Sequence, residues 1–177
     1  RDPGFIASFG LEGVTSLEGY LFPDTYKLIK PSPGEKTILA RLVNRALEVY
    51  SSLDRGNSDL SRHQVFTLAS IVEKETGVPE ERDIIAGVFA RRLHKGMKLQ
   101  TDPTVIYGIK DFDGNLTRKH LRTPTPYNTY LIKGLPPGPI ASPGQAALEA
   151  ALYPAETNYL FFVSRKDGTH QFSSTLK

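Results

Sequence analysis

Apolar positions recur at helical spacing through much of the chain. Between Lys36 and Leu53, Ile38, Leu42, Val43, Ala46, Leu47 and Tyr50 share one face while Arg41, Asn44, Arg45 and Glu48 occupy others, predicting an amphipathic helix. A second helix starts at Ser61, with Gln64 three residues on as in a capping box. Its stripe is Val65, Leu68, Ala69 and Val72, and Gly77 ends it. Pro79 suits the first turn of a third helix, where Glu80, Glu81 and Asp83 favour the positive end. Ile84, Ile85, Val88, Phe89 and Leu93 face inward, and Gly96 caps it.

Asp102-Pro103 reads as the N-cap and first position of a short helix through Tyr107, and Ser142-Pro143-Gly144 opens another that carries Ala147, Leu148, Ala151 and Leu152 and stops before Pro154. Strands are expected at Tyr26–Ile29, ending in the turn Pro31-Ser32-Pro33-Gly34, at Met97–Leu99, and at Tyr159–Val163. The last leads through the hairpin turn Lys166–Thr169 into His170–Phe172. Loops cover most of the first 34 residues, the stretch Asp54–Asp59 and the turn Asp113-Gly114-Asn115. Strands and helices do not alternate regularly, and no repeat or heptad series occurs. The expectation is one α+β domain, several helices packed on a small sheet with a C-terminal β-hairpin.

Composition bounds the function. With 39% apolar and 23% charged residues over 177 positions, the chain is that of an ordinary folded domain. The 22 basic residues exceed the 19 acidic by only 3 and are scattered, which argues against nucleic acid as a partner. Cysteine is absent, removing disulfides and thiolate chemistry. No apolar run is long enough to span a bilayer, and the only methionine is Met97, so the chain reads as part of a longer protein. His63, His94, His120 and His170 match no zinc spacing, and no serine elbow, phosphate loop or dinucleotide fingerprint occurs, so no metal and no cofactor is expected.

Carboxylates remain as candidate catalysts. At about 100° per residue, Glu73 and Glu75 fall on opposite borders of the stripe centred near Val72, and diverge too far to act as a close pair. Partial burial beside Phe66 or Ile71 would raise either carboxyl's proton affinity, as a general acid requires. The plainer alternative is a solvated acid, or one paired with Lys74 or Arg82. Periodicity does not choose between the two glutamates.

Two aromatic and polar clusters, Glu18 to Tyr26 and Thr125 to Tyr130, suit a sugar-binding cleft, since aromatic faces stack on sugar rings while Asn, Thr and Asp direct hydrogen bonds. They equally suit loops pinned by tyrosine. The run from Gly134 to Gly144 holds three prolines besides Pro143 and is too stiff for a linker; a wall beside a cleft is favoured over a polyproline ligand because it leads directly into a helix.

Taken in order, Leu17-Glu18-Gly19-Tyr20 with Phe22-Pro23-Asp24-Thr25-Tyr26, Ala69-Ser70-Ile71-Val72-Glu73-Lys74-Glu75-Thr76, and Leu99-Gln100-Thr101-Asp102-Pro103-Thr104-Val105-Ile106-Tyr107-Gly108 resemble the YceG-like (MltG) family of endolytic murein transglycosylases. Tyr127-Asn128-Thr129-Tyr130, Gly134-Leu135-Pro136-Pro137-Gly138 and Pro143-Gly144 continue the resemblance, so that residues 1–177 correspond to a YceG-like catalytic domain. The resemblance implies that Glu73 is the catalytic glutamate and Glu75 a supporting one. Glu18, Tyr20, Asp24, Gln100, Asp102, Tyr127, Asn128 and Tyr130 would bind substrate or support the site.

It further implies cleavage of the β-1,4 bond between N-acetylmuramic acid and N-acetylglucosamine without water, leaving 1,6-anhydromuramoyl ends, with one glutamate serving as acid and then base. A hydrolytic muramidase and a non-catalytic glycan-binding scaffold are the alternatives. The expected partners are peptidoglycan strands and, beyond them, peptidoglycan synthases. Membrane contact is expected only through an N-terminal anchor which, like a LysM-like module, lies outside this chain, placing the activity at the extracytoplasmic face of the bacterial cell membrane.

Overall fold

A computed structural model describes residues 2–28, 30, 33–54 and 58–176. Its elements are α1 (Pro3–Ala7), α2 (Glu35–Ser52), α3 (Arg62–Glu75), a 3₁₀ turn at Pro79–Glu81 leading into α4 (Arg82–His94), α5 (Asp102–Tyr107), α6 (Arg118–Arg122), α7 (Gln145–Leu152), and strands β1 (Phe161–Ser164) and β2 (His170–Ser173). The strands pair antiparallel, Phe161 opposite Ser173 and Ser164 opposite His170. This is a mixed α+β domain in which the sheet is the hairpin itself.

The core is built around α3, which packs on α7, α4 and α5, while α7 also meets α4 and α2. The expected capping box starts α3: the Ser61 hydroxyl accepts the Gln64 amide (3.3 Å) and the Gln64 side chain accepts the Ser61 amide (2.8 Å). Its burial exceeds the expected stripe, because every residue from Val65 to Val72 is buried. Two hydroxyls make this tolerable: Thr67 donates to the His63 carbonyl and Ser70 to the Thr67 carbonyl, each at 2.7 Å, so neither enters the core unpaired.

On α2 the buried stripe narrows to Val43, Ala46, Val49 and Tyr50, with Ile38, Leu42 and Leu47 only partly covered. The hairpin lies on α4, where Phe162 meets Phe89 edge to face at 5.7 Å.

Several local expectations fail. Tyr26–Leu28 form no strand; the Tyr26 hydroxyl instead donates to the Phe22 carbonyl (2.8 Å), while Ile29, Pro31 and Ser32 lie outside the described residues, as do positions 55–57 of the expected loop. Met97–Leu99 are not a strand either. The Arg92 guanidinium takes the Leu99 carbonyl (2.5 Å), and Gln100 adopts φ +50°, which breaks the extended run. α5 begins one residue earlier than expected, with Thr101 as N-cap and Asp102 as its first residue. The short helices α1 and α6 had no counterpart in the sequence reading.

Candidate active site

The two glutamates at the end of α3 leave it in different directions and meet different partners. On one face, His63, Ser70 and Glu73 pin the proline-rich segment along the helix. The His63 ring bonds the Pro137 carbonyl through Nε2 (2.8 Å), the Ile140 amide donates to Ser70 Oγ (2.9 Å), and the Gly144 amide donates to Glu73 Oε2 (3.1 Å). Gly144 is the N-cap of α7, so the Glu73 carboxylate sits at the positive end of that helix. The stiff wall is thus fastened to α3 at three points.

Glu75 turns toward α5. Its Oε1 accepts the Thr101 hydroxyl. Thr101 is itself fixed: its amide donates to Thr129 Oγ1 (3.1 Å), and Thr104 bonds both the Thr101 carbonyl and Thr129 Oγ1, each at 2.8 Å. A cavity of about 180 Å³ opens here, lined by Glu75, Arg92, Gln100, Thr101, Asp102 and Tyr130 together with Leu99 and Phe162. The Tyr130 hydroxyl donates to Asp102 Oδ1 (2.7 Å).

Burial pushes the Glu75 carboxyl above the usual carboxylate range, and the nearby Asp102 charge adds to this; the Thr101 hydroxyl, His170 and Arg92 oppose it without cancelling it. Burial likewise raises the Tyr130 phenol, with Asp102 contributing, so that Tyr130 stays a neutral donor. Gln100, at φ +50°, holds a conformation that side chains avoid at the cavity's edge.

A second concavity lies at the other end of α5. The Tyr107 hydroxyl donates to Glu18 Oε2 (2.8 Å), and the Tyr107 and Tyr127 rings lie 4.7 Å apart. The remaining expected site residues take other places. Tyr20 is fully buried, stacked on Phe66 at 4.6 Å with its hydroxyl on His63 Nδ1 (2.8 Å). Asn128 is also fully buried: its amide nitrogen serves the His120, Leu121 and Thr123 carbonyls at the end of α6 (2.8 to 3.3 Å), and its oxygen accepts the Tyr130 amide. These two hold loops and cannot touch a ligand. Asp24 is exposed and paired with Arg45 (3.0 Å) on α2. Glu75, Gln100, Asp102 and Tyr130 are brought together, Glu18 and Tyr127 form a separate group, and Glu73 joins neither.

The sequence reading missed Arg92, Thr101 and Thr129. Arg92 is only 6% exposed, donates from Nε to the Leu160 carbonyl (2.6 Å), and lies on the buried stripe Ile85, Val88, Phe89 at the i+7 position. A cation at an inward helical position was the signal that could have found it. Among the described residues no cluster of three or more His, Cys, Asp or Glu could hold a metal.

Known proteins resemble this chain in sequence and, for one solved structure, in fold. The chain is 42% identical over 164 residues to an endolytic murein transglycosylase of Bacillus subtilis (strain 168), and 35% identical over 156 residues to one of Streptococcus pneumoniae serotype 2. These alignments take in 91% and 84% of this chain but only 45% and 28% of the relatives' lengths. A crystal structure of a YceG-like protein from Listeria monocytogenes superposes with a TM-score of 0.87 at 38% identity, covering 99% of this chain and 62% of that one. The model of the YceG-like family matches residues 6–177, and the chain belongs to that family.

Proposed function

We propose that this chain is the catalytic part of an endolytic peptidoglycan lyase in which Glu75 is the acid and base. The observation that carries the assignment is the Glu75 carboxyl, held by Thr101 in a cavity and protonated more readily than an ordinary carboxylate. The reaction class comes from the relatives' name, endolytic murein transglycosylase.

Protonated Glu75 donates to the glycosidic oxygen as the C1–O bond breaks. The resulting carboxylate then takes the proton of the muramoyl C6 hydroxyl as O6 bonds C1, which regenerates the acid and closes the 1,6-anhydro ring. No second carboxylate and no water are consumed, in contrast with ordinary glycosidases. Arg92 offsets the negative charge while Glu75 is ionised, and Asp102 with Tyr130 borders the sugar.

This moves the central role from the expected Glu73 to its neighbour two residues on. Glu73 spends an oxygen on the Gly144 amide, a bond that fastens α7. On the same reading the longer protein works at the extracytoplasmic face of the membrane, anchored by a segment outside this chain, beside the synthases that make new strands.

The test is fragment analysis by liquid chromatography and mass spectrometry after incubation with peptidoglycan. Anhydromuramoyl ends from internal cuts, lost in Glu75→Gln and kept in Glu73→Gln, are expected. Loss in Glu73→Gln alone returns the role to Glu73, reducing ends make the enzyme a hydrolase, and intact strands make the chain a binding module.

A further inference from the structure

Glu18 stands apart from the acid/base cavity and has no task in the chemistry above. It lines two adjoining concavities of about 570 and 250 Å³ that share Thr15, Ser16, Glu18 and Tyr127, the first closed by Tyr107 and the second by His63 and the proline-rich wall. Among these linings Glu18 is the only Asp, Glu, Lys or Arg, and among the described residues it makes no ion pair. Its hydrogen-bond partners, the Tyr107 hydroxyl at 2.8 Å and the Ser16 hydroxyl at 3.5 Å, are neutral, so its charge faces the cleft uncompensated. The His63 ring nitrogens are engaged away from Glu18, one by Tyr20 and one by the Pro137 carbonyl.

The carboxylate is held in place. Gly19 has φ +83°, and a Cβ there would fall 2.2 Å from Pro139, so the backbone beside Glu18 lies flush on the wall. Tyr20, next along, is anchored in the core. Beside the carboxylate stand two phenol rings, 4.7 Å apart and tilted by 58°. A fixed anion next to aromatic faces is the chemistry that receives an ammonium group, through charge pairing and cation–π attraction together.

We propose that the Glu18, Tyr107 and Tyr127 cleft is a subsite for the primary ammonium group of the peptide stems carried by the glycan strands. This rests on the reading of peptidoglycan as substrate. From Asp102 to Tyr107, α5 rises about 7.5 Å along its axis at 1.5 Å per residue and turns by about 140°. Two to three extended residues of a stem span roughly that distance, at about 3.3 Å each. On this proposal the stem of a muramoyl unit seated at Glu75 runs around α5 to bring its amine to Glu18.

The experiment compares strand fragments bearing native stems with the same fragments after N-acetylation of their amines, their affinity measured calorimetrically on the non-cleaving Glu75→Gln chain. The native fragments are expected to bind about tenfold more tightly, and the double variant with Glu18→Gln to bind both alike. Equal affinities on the chain with Glu18 intact, or binding of neither, overturn the subsite whatever the double variant does. The substrate reading is checked separately, by anhydromuramoyl ends released by the unsubstituted chain from strands stripped of peptide. Cleavage there with no effect of acetylation retires the subsite and leaves the lyase standing.

Discussion

The Glu75 carboxylate accepts the Thr101 hydroxyl, joining the last residue of α3 to the N-cap of α5. The bond favours the ionised carboxyl and so works against burial, the larger influence, which favours the protonated one. Removing it with Thr101→Val should raise the Glu75 proton affinity further. A general acid is active below its pKa, so the alkaline limb of the kcat profile should move to higher pH in the variant. Turnover at the optimum should fall about ten- to a hundredfold because the carboxyl loses its orientation. Rates measured between pH 4 and 9 check both, and an unmoved alkaline limb would detach Glu75 from the proton transfer.

Gly19 tests how tightly the proline-rich wall is seated. Gly19→Ala combines a positive φ with a Cβ placed 2.2 Å from the Pro139 side chain, and should cost about 3 kcal/mol. For a chain of this size that is a fall in Tm of roughly 6 to 12 °C. Gly13→Ala is the control: it shares the positive φ, at +82°, but nothing lies within 4 Å, so about 1 kcal/mol is expected. Equal losses in the two variants, measured by thermal unfolding, would mean that Pro139 yields.

What the sequence disclosed follows from the range of the interactions involved. The Ser61 and Gln64 cap, the stops at Gly96 and before Pro154, and the Lys166–Thr169 turn are local events, and all were legible. The strand expected at Met97–Leu99 failed because the Arg92 side chain, seven residues back on α4, claims the Leu99 carbonyl, a contact that the alternation of apolar and polar residues does not encode. The same limit governed the site. Helical geometry put Glu73 and Glu75 on the two borders of one stripe and stopped there, since what separates them is tertiary: Gly144 on one side, Thr101 on the other. Tyr20 and Asn128 read as cleft residues for a related reason, because an aromatic or an amide that pins a loop has the same local sequence signature as one that binds a sugar.

Arg92 should prove costly to replace. Its guanidinium serves the Leu160 carbonyl at 2.6 Å and the Leu99 carbonyl at 2.5 Å from a site only 6% exposed. Methionine fills the volume but strands both carbonyls, at about 2 to 4 kcal/mol in urea unfolding. Lysine restores the charge without the fork and should recover less than half of the loss. Arg92→Met also removes a charge that favours ionised Glu75, so its alkaline limb should shift upward in the same direction as that of Thr101→Val.

Glu75 and Glu81 should respond to pH with opposite signs. Burial pushes the Glu81 carboxyl up too, but the His170 ring at 2.7 Å and the His170 amide at 2.8 Å overcome it and hold the carboxyl below its ordinary value. A depressed carboxyl contributes stability that is present above the unfolded pKa of about 4.5 and is lost as pH falls through the lower folded value. Glu75, raised, contributes stability only below about 4.5, and loses it as pH rises through its higher folded value. Glu81→Gln should therefore lower Tm at pH 7 and approach the unsubstituted chain near pH 3. Glu75→Gln, still able to accept the Thr101 hydroxyl, should raise Tm at pH 7, the gain fading near pH 4. Thermal unfolding across pH 3 to 8 reads both trends, and a Glu75→Gln chain less stable at pH 7 would show that this carboxylate serves folding rather than opposing it.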